Sequence, residues 1–152
     1  MNRSLRLFSA ASTTLAILSG SASSFADGTM AVEGRTGKPT TEKFTSISYS
    51  VSTPRDAASG QATGRRQHKP VCVVRVPVAT SGALVQMLLT NEVVKSATFD
   101  TSAGIKIKLT NANVTSYRLV DDKDLEEICF AFQAIELSAK GGTAATDSPS
   151  GK

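Results

Sequence analysis

The sequence predicts a mainly β fold: a compact antiparallel β-barrel or sandwich with one short α-helix packed on its side. Three observations carry this. Six or seven short runs are apolar or alternate apolar with polar, and turn residues separate them. The connections between the last three runs are too short for parallel crossovers, so those neighbours are antiparallel. One stretch alone switches to helical period. A chain of 152 residues supports a single core. With six Phe and no Trp, that core must be largely aliphatic.

In chain order, the first 26 residues read as a secretory signal. "MNRSLR" is a cationic start, "LFSAASTTLAILSG" an apolar and small-residue centre, and "SASSFA" a small-residue end. Cleavage is expected between Ala26 and Asp27, and the alternative is a translation start at Met30. Residues 27–138 form the expected barrel domain, and residues 139–152 a low-complexity, disordered tail. No later run is long and apolar enough to span a membrane, so the mature protein is expected to be secreted or periplasmic.

"TMAV" is a short first strand and "EGRTGKPTTEK" a loop. "FTSISYSVST" is the clearest strand: Ile47, Tyr49 and Val51 alternate with serines. "PRDAASGQATGRRQH" has no periodicity, and a loop of that length inside a domain is usually functional or disordered. "KPVCVVRVPVAT" reads as a central strand buried on both faces. "TSGALVQMLLTNE" is a helix over about residues 81–91, with Leu84, Met87 and Leu88 on one face. Thr80 or Ser81 is its expected side-chain N-cap and Asn91 its terminator. "VVKSATFD", "IKIKLT", "VTSYRLV" and "LEEICFAFQAIELS" complete the strands, with "NAN" and "DDKD" as turns.

Little in the chain points to catalysis. His68 is the sole histidine, and no nucleophile elbow, HExxH, CxxC or phosphate-binding glycine loop is present. No catalytic residue, cofactor or metal ligand set is therefore expected, and the chain is not expected to be an enzyme. Asp121, Asp122, Lys123 and Asp124 lack the spacing and distal Glu of a calcium loop. The net charge is +4. Setting Arg3 and Arg6 aside with the signal lowers it to +2, a weak footprint for nucleic acid. Cys72 and Cys129 permit one disulfide in an oxidising compartment, or serve as two buried thiols.

"YSVSTPRDAASGQATGRRQHKPVCVVRV" resembles the haemolysin-coregulated protein (Hcp) family, the tube-forming protein of the bacterial type VI secretion system. "IKIKLTNANVTSYRL" and "LEEICFAFQAIEL" resemble that family's paired and closing strands, and the likeness covers about residues 29–138. The resemblance implies a small β-barrel with a helix at its side, hexameric rings, and a stacked hollow conduit able to hold small effector proteins. Its partners are then itself, other secretion-system components and effectors, with no nucleic acid. The long loop is expected to meet a neighbouring subunit or ring, which places Arg55, Asp56, Arg65, Arg66, His68 and Lys69 at contacts. Two features depart from the family. Its members carry no signal peptide, and its helix often opens with a proline where this chain has Gly82 or Ala83. The signal keeps a second expectation open, an exported monomeric binding module on the same barrel.

Overall fold

The computed structural model describes residues 27–34, 39–120 and 124–150. The expected signal peptide lies outside the described residues, as does most of the "DDKD" turn. Ten strands and one helix follow in chain order: β1 (Gly28–Glu33), β2 (Thr40–Phe44), β3 (Ser46–Ser48), β4 (Val51–Ser52), β5 (Gln67–His68), β6 (Val71–Arg75), α1 (Ser81–Thr90), β7 (Val93–Thr101), β8 (Ile105–Val120), β9 (Leu125–Ala139) and β10 (Ala145–Asp147).

The main sheet runs β2-β1-β7-β8-β9-β6-β3, and every pairing is antiparallel. Its two ends belong to one stretch of chain. Residues 40–44 pair with β1 and residues 46–48 with β6. Thr45 bridges them, its N–H and hydroxyl both donating to the Val74 carbonyl at 2.8 Å. The sheet thereby closes into a barrel and leaves few exposed strand edges. Inside lie Phe44, Phe99 and Phe130, packed edge to face, with an aliphatic shell of Met30, Val71, Val73, Leu109 and Ile128.

Several elements differ from expectation. "TTEK" is strand β2 rather than loop, because it pairs along β1. The strand expected over 44–53 breaks after Ser48, where the chain leaves the barrel; Ile47 is buried while Val51 is 45% exposed. Along β6 only Val71, Val73 and Arg75 are fully buried, and Cys72 and Val74 on the outward face are half-buried. "IKIKLT" and "VTSYRLV" are one strand, β8, with Asn111 at φ 49 as a kink rather than a turn. The expected disordered tail instead turns back, and its residues 145–147 pair with Ile135–Leu137 of β9.

The helix occupies its expected span and ends at Asn91 in the left-handed region, whose N–H reaches back to the carbonyls of Leu88 and Met87. It packs against β8 through buried Leu84, while Leu89 stays 72% exposed. Neither Thr80 nor Ser81 caps it with a side chain. Thr80 donates instead to Glu42 at 3.0 Å, and Ser81 is drawn into a buried ionic cluster.

Candidate functional site

The long loop is an ordered arm. At its base β4 and β5 pair as Val51↔His68 and Ser52↔Gln67, and Lys69 N–H donates to the Ser50 carbonyl. Further out, Arg55 and Ala62 form a bridge. At the tip the Asp56 carboxylate accepts the N–H groups of Ala58 and Ser59 at 3.1 and 2.7 Å and the Ser59 hydroxyl at 2.8 Å. Those bonds, the Ser59 N–H first, hold Asp56 below the ordinary carboxylate range. Arg55 donates to the Gly60 carbonyl across the same turn. A sequence without periodicity can thus be fixed locally by side-chain-to-backbone bonds.

The arm's base is clasped by the C-terminal strand. Arg66 forks onto Asp147, Nε to Oδ2 at 2.5 Å and Nη2 to Oδ1 at 2.8 Å. The His68 ring, only 2% exposed, has Nε2 3.3 Å from Asp147 Oδ2 and shares a 2.8 Å hydrogen bond between Nδ1 and the Tyr49 hydroxyl. Phe132 packs edge-on against that ring. The Arg66 bonds first, and the Ser148 N–H next, hold the Asp147 carboxyl below its usual range. Burial, then the nearby Asp147 charge, pushes the Tyr49 hydroxyl up. Ser148 fastens the strand again by donating to the Gln133 carbonyl.

The six loop residues therefore divide. Arg66 and His68 are engaged within the chain, and Asp56 shapes the tip. Lys69, with no ion-pair partner among the described residues, is exposed, as are Arg55 and Arg65. Arg65 makes only a 3.4 Å contact to the Ser150 carbonyl.

A second cluster is buried where β6, β9, β8 and the start of α1 meet. Arg75 and Glu126 are both 0% exposed and face each other in register. Glu126 Oε1 accepts from Arg75 Nε at 2.6 Å and Ser81 Oγ at 2.7 Å, and Oε2 accepts from Tyr117 at 2.9 Å. Arg75 Nη1 has no hydrogen-bond partner among the described residues. The bond to Glu126, with burial behind it, pushes the Tyr117 hydroxyl up. The signal for this cluster was in the sequence: period two places Arg75 on the face of Val71 and Val73, and Glu126 on the face of Ile128 and Phe130. Asp147 carried no such signal, because it sits in a polar tail.

Cys72 and Cys129 stand opposite each other on β6 and β9, their Cα atoms 4.0 Å apart, joined as a disulfide. Glu127 lies beside them with Arg118 on its other oxygen at 2.9 Å.

The chain is a closed antiparallel barrel with a clasped arm, its buried charges paired within the fold and Arg55, Arg65 and Lys69 exposed on the arm. Residues 27–138 match the family described as "Type VI secretion system effector, Hcp", and the chain belongs to the Hcp family. The fold agrees. A crystal structure of an Hcp protein superposes with TM-score 0.71 at 18% identity, covering 80% of this chain and 98% of that one. Hcp1 from E. coli EAEC 042 gives TM-score 0.70 at 20% identity, covering 81% and 98%. The secreted protein Hcp3 from Pseudomonas aeruginosa gives 0.65 at 16%, covering 80% and 97%. No curated protein matches the chain in sequence. No helix among the described residues is long and apolar enough to cross a membrane.

Proposed function

We propose that this chain is a structural tube protein whose copies assemble into hexameric rings, and that the rings stack into a hollow conduit able to carry small effector proteins. Membership of the Hcp family across residues 27–138 carries the reading. A ring needs two different patches that meet head to tail and close. The arm supplies one protruding patch, and its exposed cations Arg55, Arg65 and Lys69 are the contact residues. The outward serines Ser48, Ser50 and Ser52 can pack without charge repulsion. The protein is non-enzymatic and is exported after cleavage before Asp27. Asp27 is compatible with that boundary: its carbonyl and carboxylate accept the N–H and hydroxyl of Ser102, which tie it to the barrel.

Size-exclusion chromatography with light scattering on the protein recovered from cells tests the assembly. A hexamer-sized particle is expected, and a monomer at high concentration overturns the reading in favour of a single-barrel binding module. Sequencing the recovered N-terminus tests export: Asp27 supports it, and a start at Met30 overturns it.

A further inference from the structure

We propose that Cys72, Cys129 and Glu127 form a redox-gated site for a thiophilic divalent cation such as zinc, closed as the disulfide and open as the dithiol. One potential ligand atom from each residue lies within 4.8 Å of the others. The two cysteines are cross-strand partners, and Glu127 shares the outward face of β9 with Cys129, two residues away. Glu127 Oε1 is 4.0 Å from Cys129 Sγ, while Oε2 accepts from Arg118 at 2.9 Å. Arg118 thus orients the carboxylate with its free oxygen toward the sulfurs, the role an outer partner plays at a metal site.

Zinc binds thiolate at about 2.3 Å and carboxylate oxygen at about 2.0–2.2 Å, which sets neighbouring ligand atoms of a tetrahedron roughly 3.5–3.8 Å apart. Once the S–S bond is cut the two sulfurs can move apart toward that spacing, and Glu127 Oε1 already lies 4.0 Å from Cys129 Sγ. Two thiolates and one carboxylate make a borderline-soft set that favours zinc or cadmium over magnesium or calcium. Cys72 and Glu127 are half-buried, so a fourth position opens to solvent for water. As the disulfide, the sulfurs offer no thiolate and the site is closed.

Opening is a two-electron step. A trialkylphosphine breaks the S–S bond and leaves as its oxide; water supplies the oxygen and the two protons that make both thiols. The cation then displaces those protons, so binding is stronger at higher pH. In a cell a small cytosolic thiol is the reductant and leaves as its own disulfide, whereas in an oxidising compartment a disulfide oxidant takes up the two electrons and two protons and closes the site.

The test is zinc binding by the full chain, oxidised or phosphine-reduced, read by metal analysis after gel filtration and by native mass spectrometry. Cadmium adds the ultraviolet thiolate charge-transfer band. The reduced chain is expected to hold one zinc and the oxidised chain none. Cys72→Ser and Cys129→Ser should each abolish the cadmium band, and Glu127→Gln should weaken zinc binding on the order of tenfold or more. Far-ultraviolet circular dichroism checks folding of each sample. A folded reduced chain without zinc overturns the proposal. So does zinc retained in Cys72→Ser, which moves the site elsewhere, or Glu127→Gln binding as tightly as the wild type. A reduced chain that unfolds and stays unfolded with zinc overturns it too.

Discussion

Glu126 is fully buried, yet three donors converge on its carboxylate. Burying an ion pair is costly, and the cost is met here by a partner and by hydrogen bonds that fill the remaining lone pairs. Glu126→Ala leaves the Arg75 guanidinium buried without a counter-charge and should lower stability by about 3–5 kcal/mol. Tyr117→Phe removes one bond to a charged acceptor and should cost about 1.5–3 kcal/mol. Urea unfolding measures both, and wild-type midpoints in both variants would contradict the network. Its members were visible singly, as an Arg in an apolar run and a Glu at the head of another. Their pairing was not, because the two lie 51 residues apart and register across β6 and β9 joins them. Asp147 gives a pH prediction. Its carboxyl is held below the ordinary range, so the folded state binds its proton less readily than the unfolded chain. The contribution is then fully present above the unfolded value of about 3.9 and lost as pH falls through the lower folded value. Amide hydrogen exchange of residues 145–147 should stay slow from neutral pH to about 4 and quicken below that range, after correction for intrinsic rates. In Asp147→Asn it should be fast throughout; slow exchange in that variant would show that the clasp does not depend on the charge.

At the level of elements, the barrel turns a corner that period-two reading could not place. Inward residues on β8 switch from Ile107 and Leu109 to Ala112 and Val114, and the parity changes at Asn111. On β7 the switch falls between Val94 and Ala97, and on β9 between Phe130 and Ile135. These levels coincide in register, since Val94 faces Ala112 and Leu109 faces both Ala97 and Ile135. One left-handed residue in the middle strand lets three strands bend together, which helps a sheet close on itself. The sequence contains the cue, because Asn tolerates that conformation. Asn in "NAN" reads equally well as a turn, though, and only the neighbouring strands decide between kink and turn. Asn111 also donates to the Gln133 side chain at 3.1 Å. Asn111→Val should cost about 1–2 kcal/mol, because a β-branched residue resists φ 49, whereas Asn111→Gly should stay close to wild type. Thermal unfolding compares them, and equal stability of the Val variant would mean that the corner does not need the left-handed residue.

At the scale of the whole molecule, the proposed ring requires a barrel that satisfies its own strands and still leaves a surface for other copies. Closure through residues 40–48 and the pairing of β10 on β9 take up backbone edges that could otherwise join neighbours. What protrudes is the arm, rigid at its base through the Arg66–Asp147 clasp and at its tip through Asp56. An arm held by these bonds loses less conformational entropy on docking than a free loop would, which favours the proposed assembly. The basic stretch "GRRQHKP" therefore has two duties that composition alone cannot separate: Arg66 and His68 hold the arm, whereas Arg65 and Lys69 are exposed and form no ion pair among the described residues. Reversing Arg65 and Lys69 to Glu leaves the clasp intact. The unfolding midpoint should stay within about 0.5 kcal/mol of wild type, since exposed substitutions away from structural bonds cost little. Assembly should weaken markedly. Because the charges are exposed, wild-type assembly should itself loosen as salt rises from low ionic strength to about 0.5 M. Light scattering across a concentration and salt series reads both effects. A double variant that assembles like the wild type would remove these cations from the interface and leave the serine face and exposed apolar residues, such as Leu119, to hold the copies together.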